Sequence, residues 1–276
     1  MTINTWLSEA AAALSAADIP TARLDAEIIL AHTLKCPRTY LHAHGEQPLG
    51  LRDVEIADAR LDLRRDRTPI AYIIGHKEFY GRTFYVTPST LIPRPESEDA
   101  LTLLDELIPS TKSLFNDAPR LVDVGTGSGI LAISAKLAHP ELDVYGLDIS
   151  RHALMVSKKN AAHHEAEVHF SESDLLENFP FTAKYIVANL PYVDKTWDDV
   201  SPELRHEPRG ALFAADGGLK LIKKLLEQTP RVLTDDGMLL LEADPTQHAA
   251  IKTTAAARGL QPLKTRGYYL VFTKIA

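Results

Sequence analysis

The sequence predicts a two-part chain, a small helical bundle followed by a doubly wound α/β sheet. Apolar residues recur with a helical period up to about residue 75, and from residue 120 onward short apolar runs typical of buried strands alternate with helical segments. Between these parts, near residue 78, the period changes. We therefore expect a helical domain over residues 1–75, a β-hairpin and proline-rich linker over 76–95, and an α/β domain over 96–276.

Composition narrows the class of protein. The 276 residues are 45% hydrophobic and 24% charged, as in an ordinary folded protein. A net charge of −7 argues against wholesale attraction to a nucleic-acid backbone. The single cysteine, Cys36, excludes an internal disulfide and a multi-cysteine metal site. Because neither a leader nor a membrane-spanning apolar stretch is evident, we expect a cytoplasmic protein. We also expect a monomer without a bound metal.

The helical part shows apolar faces interrupted by turn residues. One face contains Trp6, Leu7 and Leu14, and a second contains Leu24, Ile28 and Leu34. Prolines 20, 37 and 48 and glycines 45 and 50 divide the segment into short helices. The histidines of this part have no cysteine or carboxylate partner at ligand spacing, which favours ordinary surface or core positions.

The linker combines a hairpin with a stiff segment. Residues 78–80 and 83–86 are aromatic-rich and flank Gly81, which predicts two strands and a turn. In residues 91–95, Pro93 and Pro95 force an extended conformation. Ser97 follows, and we expect its hydroxyl to cap the next helix.

Strand and helix patterns alternate in the remaining chain. This alternation predicts a parallel sheet covered by helices on both faces. The strands are expected at residues 121–124, 143–148, 167–170, 185–188, 238–242 and 268–273, and the helices at 130–138, 152–163, 219–226 and 246–258.

A glycine-rich loop follows the strand at residues 121–124. Its glycines, Gly125, Gly127 and Gly129, are each two residues apart, whereas a dinucleotide-binding loop places its third glycine three residues beyond the second. Asp123 at the mouth of the loop would repel a diphosphate but could engage an ammonium ion. A ligand with an ammonium, a ribose and an adenine but no phosphate fits this loop, and S-adenosylmethionine is such a ligand.

Acidic residues at the ends of the next strands extend this cofactor hypothesis. Asp148 lies 25 residues after Asp123, where a carboxylate can accept both ribose hydroxyls. Asp174 could accept from the adenine amino group. Thr126, Ile149 and Asn189 complete the set of expected cofactor contacts.

The tetrapeptide Asn189, Leu190, Pro191 and Tyr192 follows the buried strand at 185–188 and is the expected site of chemistry. The Asn189 side-chain oxygen and the Leu190 carbonyl can accept two N–H bonds from a neutral nitrogen. Pro191 stiffens the turn, and Tyr192 offers an aromatic face. The pattern suits a flat amide or amino group as the acceptor.

The stretch from Asp123 to Tyr192 resembles the class I methyltransferases that use S-adenosylmethionine. That resemblance implies a Rossmann-like, seven-stranded sheet with one antiparallel strand at the end, expected at residues 268–273. A longer similarity is to the PrmC/HemK family of release factor glutamine methyltransferases. Its motifs are found here at residues 67–75, 78–81, 84–86, 91–98, 207–209, 211–212, 216–219 and 242.

The family resemblance implies methyl transfer to the side-chain nitrogen of the glutamine in the Gly-Gly-Gln motif of bacterial-type class 1 peptide chain release factors. The products would be N5-methylglutamine and S-adenosylhomocysteine. Residues 1–75 would recognise the substrate protein, without direct binding of nucleic acid. Phe84 and Arg94 would border the substrate site together with the tetrapeptide.

One departure from the family pattern is Leu190, where the family usually has proline. The backbone carbonyl is retained, but the turn could be looser by about 0.4–1 kcal/mol. Three alternatives remain open. The first is an adenine-N6 methyltransferase of RNA or DNA, a class in which the sequence Asn-Leu-Pro-Tyr is also common. The others are a glutamine methyltransferase of a ribosomal protein and a non-catalytic binding protein with a methyltransferase fold.

Overall fold

The computed structural model describes residues 1–108, 118–194, 196–197 and 201–275. Its contacts divide the chain into two compact units. The helical unit consists of Met1–His76 together with Ser201–His206, and the sheet unit consists of Lys77–Val200 together with Glu207–Ala276. Among the described residues, no helix is long and apolar enough to cross a membrane.

The helical unit is a bundle whose core contains the first apolar face predicted from the sequence, whereas in the second predicted face Leu24 is 40% exposed and the neighbouring Ile29 and Leu30 are buried instead. Trp6 and Leu14 are buried in it, and the Trp6 indole Nε1 donates to Asp58 Oδ1 at 2.7 Å, which satisfies its polar edge. The predicted N-terminal bundle is thus confirmed. Its helices are α1 (Ile3–Ala16), α2 (Ala22–Leu34), α3 (Arg38–Ala43), α4 (Leu51–Arg65) and α5 (Ile70–Ile74).

A buried ion pair lies inside the helical unit. Arg64 Nε donates to Asp25 Oδ2 at 2.7 Å, and both side chains are almost fully buried. Arg64 and Arg67 also pair with Glu203, at 3.2 and 3.4 Å. Because a buried charge without a partner is costly, these pairs give a physical reason why Ser201–His206 packs with the helices.

The predicted hairpin is formed by β1 (His76–Phe79) and β2 (Arg82–Tyr85). Its turn is Tyr80-Gly81, one residue earlier than predicted, with φ of 49° and 70°. Two positive φ values are the requirement of a type I′ turn, which matches the twist of the strands. From Lys77 onward the hairpin groups with the sheet unit. Asn160 ties it there, since its side chain bonds Tyr85 N at 2.7 Å and Tyr85 O at 3.0 Å.

The sheet unit contains a seven-stranded sheet in the order β5-β4-β3-β6-β7-β9-β8, which confirms the predicted α/β fold. β9 is antiparallel to both of its neighbours, β7 and β8. In the strand order it lies one position in from the edge strand β8. The strands are β3 (Arg120–Val124), β4 (Asp143–Asp148), β5 (His169–Glu172), β6 (Ala183–Asn189), β7 (Leu233–Glu242), β8 (Leu260–Arg266) and β9 (Tyr269–Lys274). The helices are α6 (Glu98–Leu107), α7 (Ile130–Ala138), α8 (Arg151–His163), α9 (Arg209–Leu212), α10 (Lys220–Val232) and α11 (His248–Ala256).

The edge strand β8 was not predicted. Only its first residue, Leu260, is buried, and the others are polar or exposed, so the strand has no apolar alternation. β5 begins two residues later than predicted, at His169. The chain runs from β3 outward to β5 and then returns to the other side of β3 as β6. The carboxyl ends of β3 and β6 therefore form a topological switch point, where ligands bind in open α/β sheets.

Candidate active site

A cavity of about 440 Å³ opens at the carboxyl ends of β3, β4 and β6. This volume falls in the range of small-molecule sites. Most of the residues predicted to bind the cofactor or the substrate line it: Arg94, Asp123, Gly125, Thr126, Gly127, Asp148, Ile149, Asp174, Asn189, Leu190 and Pro191.

The loop after β3 uses its own amide groups internally. Gly125 N and Thr126 N both donate to the Leu147 carbonyl, at 2.8 and 2.9 Å. Gly127 N donates to Asp148 Oδ2 at 2.9 Å. A dinucleotide site needs such N–H groups free for the pyrophosphate. The loop geometry therefore disfavours a diphosphate, as the glycine spacing indicated.

Asp123 lies at the bottom of this loop and is almost fully buried. Its Oδ2 accepts from Thr126 Oγ1 at 2.7 Å and from Ala132 N at 3.2 Å. Burial raises the pKa of Asp123 to about 7, and the bonds from Thr126 and Ala132 oppose that shift. A buried carboxyl of this kind is stabilised in its ionised form by a cationic ligand, and an ammonium fits that requirement.

The acids after the next two strands have different partners. Asp148 Oδ1 accepts from Ser150 N at 2.8 Å, and burial raises the pKa of Asp148. Ile149, the residue after Asp148, lines the cavity and is 68% exposed. Its side chain therefore offers apolar surface against which an adenine ring can pack. Asp174 is already paired, with Lys224 Nζ 2.5 Å from its Oδ2, so only its other oxygen is free of this ion pair.

Two glycines of the loop serve packing. A Cβ on Gly129, whose φ is +85°, would lie 2.9 Å from Ile133 Cδ1 and 3.0 Å from Ser157 Cβ. Gly129 was predicted to contact the cofactor but does not line the cavity. It allows close packing between α7 and α8 instead. A Cβ on Gly125 would lie 3.0 Å from Leu190 Cδ2, which brings the loop directly against the tetrapeptide.

The Asn189 amide is held by two acceptors. Its Nδ2 donates to Ser97 Oγ at 2.9 Å and to Glu242 Oε2 at 2.8 Å. Nδ2 is therefore occupied, which leaves Oδ1 as the end of the amide that the predicted acceptor role requires. The expectation that Ser97 caps α6 is wrong: its side chain makes no capping bond and donates to Glu242 Oε2 at 2.8 Å.

Glu242 is the centre of this arrangement. Asn189 pairs with Glu242 across β6 and β7, and Glu242 pairs with Tyr269 across β7 and β9. The Tyr269 hydroxyl donates to Glu242 Oε2 at 2.7 Å, and the Tyr192 hydroxyl to Oε1 at 3.3 Å. Burial raises the pKa of Glu242, whereas bonds from Tyr269, Ser97 and Tyr192 lower it. Tyr192, itself absent from the cavity lining, thus directs its hydroxyl to this carboxyl.

The rest of the tetrapeptide is clamped from outside. The Leu190 side chain is 3% exposed and packs in the core of the sheet unit. Gln247 Nε2 donates to the Tyr192 carbonyl at 2.9 Å. Gly218, with φ +82°, passes so close that a Cβ there would lie 2.0 Å from Tyr192 O. This contact explains why a glycine stands at position 218.

Arg94 and Phe84, both predicted to border the substrate, lie in different surroundings. Arg94 lines the cavity, and its Nη2 donates to the buried Glu207 at 2.6 Å. Glu207 also accepts from Ile92 N at 3.0 Å, which anchors the proline-rich segment in the cavity wall. Phe84 is fully buried against Phe79 and His164 and is absent from the cavity lining. Its aromatic ring serves packing, so the predicted substrate contact is not retained.

Sequence patterns do not reveal the parts of the site that come from distant elements. They predict a helix cap for Ser97, include Glu242 only as a motif residue of the family resemblance, and do not single out Tyr269 or Gln247. One signal points to Tyr269: it stands at one end of an apolar strand and pairs with Glu242, which in turn pairs with Asn189. Within the described part of the chain, no group of three or more His, Cys, Asp or Glu side chains could hold a metal ion.

Comparison with known proteins identifies the family of the chain. The family model described as PrmC N-terminal domain matches residues 5–75, and the one described as Methyltransferase small domain matches residues 101–219. The release factor glutamine methyltransferase of Koribacter versatilis (strain Ellin345) is 37% identical over 254 residues, covering 89% of each chain. That of Escherichia coli (strain K12) is 34% identical over 266 residues, covering 94% of this chain and 92% of the relative.

A solved structure supports the fold alone. The 16S rRNA N2 G1207 methyltransferase of T. thermophilus, in complex with AdoMet and guanosine, superposes with a TM-score of 0.54 at 17% identity, covering 73% of this chain and 50% of that chain. The full-length similarity to the curated relatives identifies the family: this chain belongs to the release factor glutamine methyltransferases.

Proposed function

We propose that this protein transfers a methyl group from S-adenosylmethionine to the side-chain amide nitrogen of the glutamine in the Gly-Gly-Gln motif of class 1 peptide chain release factors. The observation that carries the proposal is the fixed Asn189 amide, whose Oδ1 remains available as an acceptor beside the cofactor cavity. The family membership identifies the substrate class. S-adenosylmethionine supplies an electrophilic methyl group when bound.

The residues of the cavity fit that cofactor. Asp123 is a buried carboxyl suited to its ammonium, and Asp148 is placed to accept from ribose hydroxyls. Ile149 offers apolar surface for the adenine, and Asp174 keeps one oxygen for the adenine amino group. Two acidic side chains in one wall and a loop with satisfied amides make a phosphate-bearing cofactor a poor alternative.

The main contribution of the protein to the reaction is to position the acceptor amide. An amide nitrogen is a weak nucleophile because its lone pair is delocalised into the carbonyl. Holding reactants in a productive geometry is worth effective molarities of about 10⁵–10⁸ M. Asn189 Oδ1 and the Leu190 carbonyl accept the two N–H bonds of the amide. As the nitrogen becomes positive these N–H groups become better donors, so both bonds strengthen in the transition state.

No general base is assigned to the reaction. The buried carboxyl bonded to Asn189, that of Glu242, has its two oxygens occupied by hydrogen bonds from four side chains. The proton of the methylated amide can leave to water after the transfer, since the N-protonated amide is strongly acidic. The role of the residues is therefore orientation and electrostatic stabilisation.

The helical unit is proposed to recognise the body of the release factor. It matches the PrmC N-terminal domain over residues 5–75. It carries an open cavity of about 590 Å³. The titratable side chains that line this cavity are basic, apart from one cysteine thiol. These side chains are His32, Lys35, Cys36, Arg38, Arg60 and His76. Such a lining suits an acidic protein surface. We also infer that the enzyme acts as a cytoplasmic monomer. We further infer that it does not bind nucleic acid, which the net charge of −7 supports.

Mass spectrometry tests the proposal directly. A purified, unmethylated bacterial release factor is incubated with the protein and S-adenosylmethionine. We expect a gain of one methyl group that maps to the glutamine of Gly-Gly-Gln, and no gain in a release factor with alanine at that position. Methylation found only on RNA would instead support an adenine-N6 methyltransferase, and methylation found only on a ribosomal protein would support the related glutamine methyltransferase.

A further inference from the structure

Glu242 receives three hydrogen bonds on a single oxygen. Ser97 Oγ, Asn189 Nδ2 and Tyr269 Oη all donate to Oε2, at 2.8, 2.8 and 2.7 Å. Glu242 and Ser97 are each only 1% exposed. An ionised carboxylate accepts but cannot donate, so convergence of three donors on one oxygen is the arrangement expected around a buried anion.

This anion determines which way the Asn189 amide faces. An asparagine side chain has two nearly isosteric orientations that exchange its oxygen and nitrogen. In the reversed orientation Oδ1 would face Glu242 Oε2, and two acceptors would meet where a 2.8 Å bond now stands. Ser97 could not relieve this contact because its hydroxyl proton is donated to Glu242. Only the observed orientation satisfies all three groups.

On the basis of the proposed function, we propose that Glu242, assisted by Ser97, is a positioning residue that fixes the polarity of the Asn189 amide and thereby selects a primary carboxamide over a carboxylate as the acceptor. The two chemical classes differ little in shape. A carboxamide nitrogen offers two donors to Asn189 Oδ1 and the Leu190 carbonyl, whereas a carboxylate offers acceptors only. A site built to receive donors rejects an isostere that lacks them because its acceptors are left unpaired.

The decisive variant is Glu242→Gln, which keeps the shape but adds a donor. With its Nε2 in the place of Oε2, the new amide can donate to Asn189 Oδ1 while the Ser97 and Tyr269 hydroxyls rotate from donating to accepting, so Asn189 can turn and present Nδ2 to the substrate. We expect kcat on the release factor to fall about 100-fold, the size found when one transition-state hydrogen bond is lost. Binding of a competitor release factor with glutamate at the acceptor position should improve relative to the glutamine form by about tenfold or more.

The ratio of the affinity for the glutamate form of the release factor to the affinity for its glutamine form distinguishes a positioning role of Glu242 from a general loss of structure. A purely structural role for Glu242 would weaken both release factors equally and leave the ratio unchanged. Tyr269→Phe is the matched control, since it removes one donor to Glu242 and leaves the carboxylate in place. We expect it to lower Tm while the preference for glutamine is retained. Affinity for S-adenosylmethionine, measured by calorimetry, should be similar in the wild type and both variants.

A second variant keeps the inference testable if Glu242→Gln does not fold. Ser97→Ala removes one of the two acceptors of Asn189 Nδ2 and is expected to lower kcat about tenfold with little change in KM. Ser171→Ala, on the exposed surface of β5, is the control for a serine outside the site. An unchanged kcat in Ser97→Ala, or an unchanged preference in folded Glu242→Gln, would overturn the inference. A wild-type protein that does not methylate the release factor would overturn the proposed function instead.

Discussion

The two loops at the switch point of the sheet are held in place by different means. The loop of residues 125–129 after β3 is fixed through its backbone amides, since Gly125 N and Thr126 N donate to the Leu147 carbonyl and Gly127 N donates to the Asp148 carboxylate, both at the end of the neighbouring strand β4. The tetrapeptide 189–192 after β6 is fixed by side chains from far along the chain, which bond Asn189 and Tyr192.

This difference separates the two halves of the proposed reaction site. The proposed cofactor loop has glycines at its three positive-φ positions, and its amides donate to the adjacent strand β4 and within the loop. The acceptor turn depends on tertiary contacts, so single substitutions outside it should disturb the acceptor without disturbing the cofactor. The following predictions test that separation, in order of decreasing expected effect.

The largest effect is expected for Asn189→Ala, which removes the acceptor Oδ1 and the link to Glu242. We expect kcat to fall about 10²–10³-fold, as for loss of one transition-state hydrogen bond. Affinity for S-adenosylmethionine should be largely retained because the loop is held independently. Initial rates and calorimetry measure the two quantities, with Asn178→Ala as an exposed asparagine control. An unchanged kcat would reject the assignment of Asn189.

The next effect is expected for Gly218→Ala. Its Cβ would lie 2.0 Å from Tyr192 O at a φ of +82°, so the tetrapeptide must move. A displacement of about 1 Å can cost about 10²-fold in rate, and we expect a fall in kcat of about 10–100-fold. Gly259→Ala is the matched control, because its φ is +75° and nothing lies within 4 Å of the added Cβ. If both variants lower Tm and leave kcat unchanged, the close contact between Gly218 and Tyr192 has no part in catalysis.

A smaller effect is expected from pH acting on Asp123. Its pKa is raised to about 7 by burial, so the carboxyl loses its charge as pH falls below that value. The ionised form binds an ammonium, so affinity for S-adenosylmethionine should rise about tenfold between pH 5.5 and 7, a range in which an α-amino group stays protonated. Calorimetry at several pH values measures this rise, and Asp123→Asn should abolish it. The same slope in Asp123→Asn would exclude Asp123 as its origin.

The same group affects stability with a definite sign. The folded pKa of about 7 lies above the ordinary value of 3.8, so the folded protein binds the proton more tightly than the unfolded chain. Asp123 therefore lowers the free energy of unfolding as pH rises from about 4 to about 7, the interval between its two pKa values. Asp123→Asn should show a smaller decline over that interval in denaturant unfolding.

The smallest effect is expected for Leu190→Pro. The ring stiffens the turn by about 0.4–1 kcal/mol, while loss of part of a buried side chain costs about 0.8 kcal/mol per methylene. These terms oppose each other, and we expect the free energy of unfolding to change by less than about 1 kcal/mol. Denaturant unfolding measures the change. A gain of about 2 kcal/mol or more would show that packing of Leu190 against Gly125 does not hold the turn.

Features encoded by short segments could be predicted from the sequence. The alternation of strands and helices predicted the sheet, and the glycine spacing with Asp123 and Asp148 predicted the cofactor cavity. Gly129 and Phe84 were assigned to binding because spacing and residue type do not show whether a side chain faces a cavity or a neighbouring helix. The edge strand β8 was missed because an exposed, polar strand lacks the periodicity that identifies strands.

The sequence by itself determined the order of the elements, the loop after β3, the presence of the tetrapeptide and the family resemblance. Only the tertiary structure decided which end of the Asn189 amide is held by Ser97 and Glu242, and therefore which end the proposed substrate would meet. That orientation depends on Ser97 and Glu242, which belong to separate elements and meet Asn189 only through packing and strand register. Hydrogen bonds between residues so distant in the chain leave no mark on local periodicity, so no pattern within a single segment could specify them.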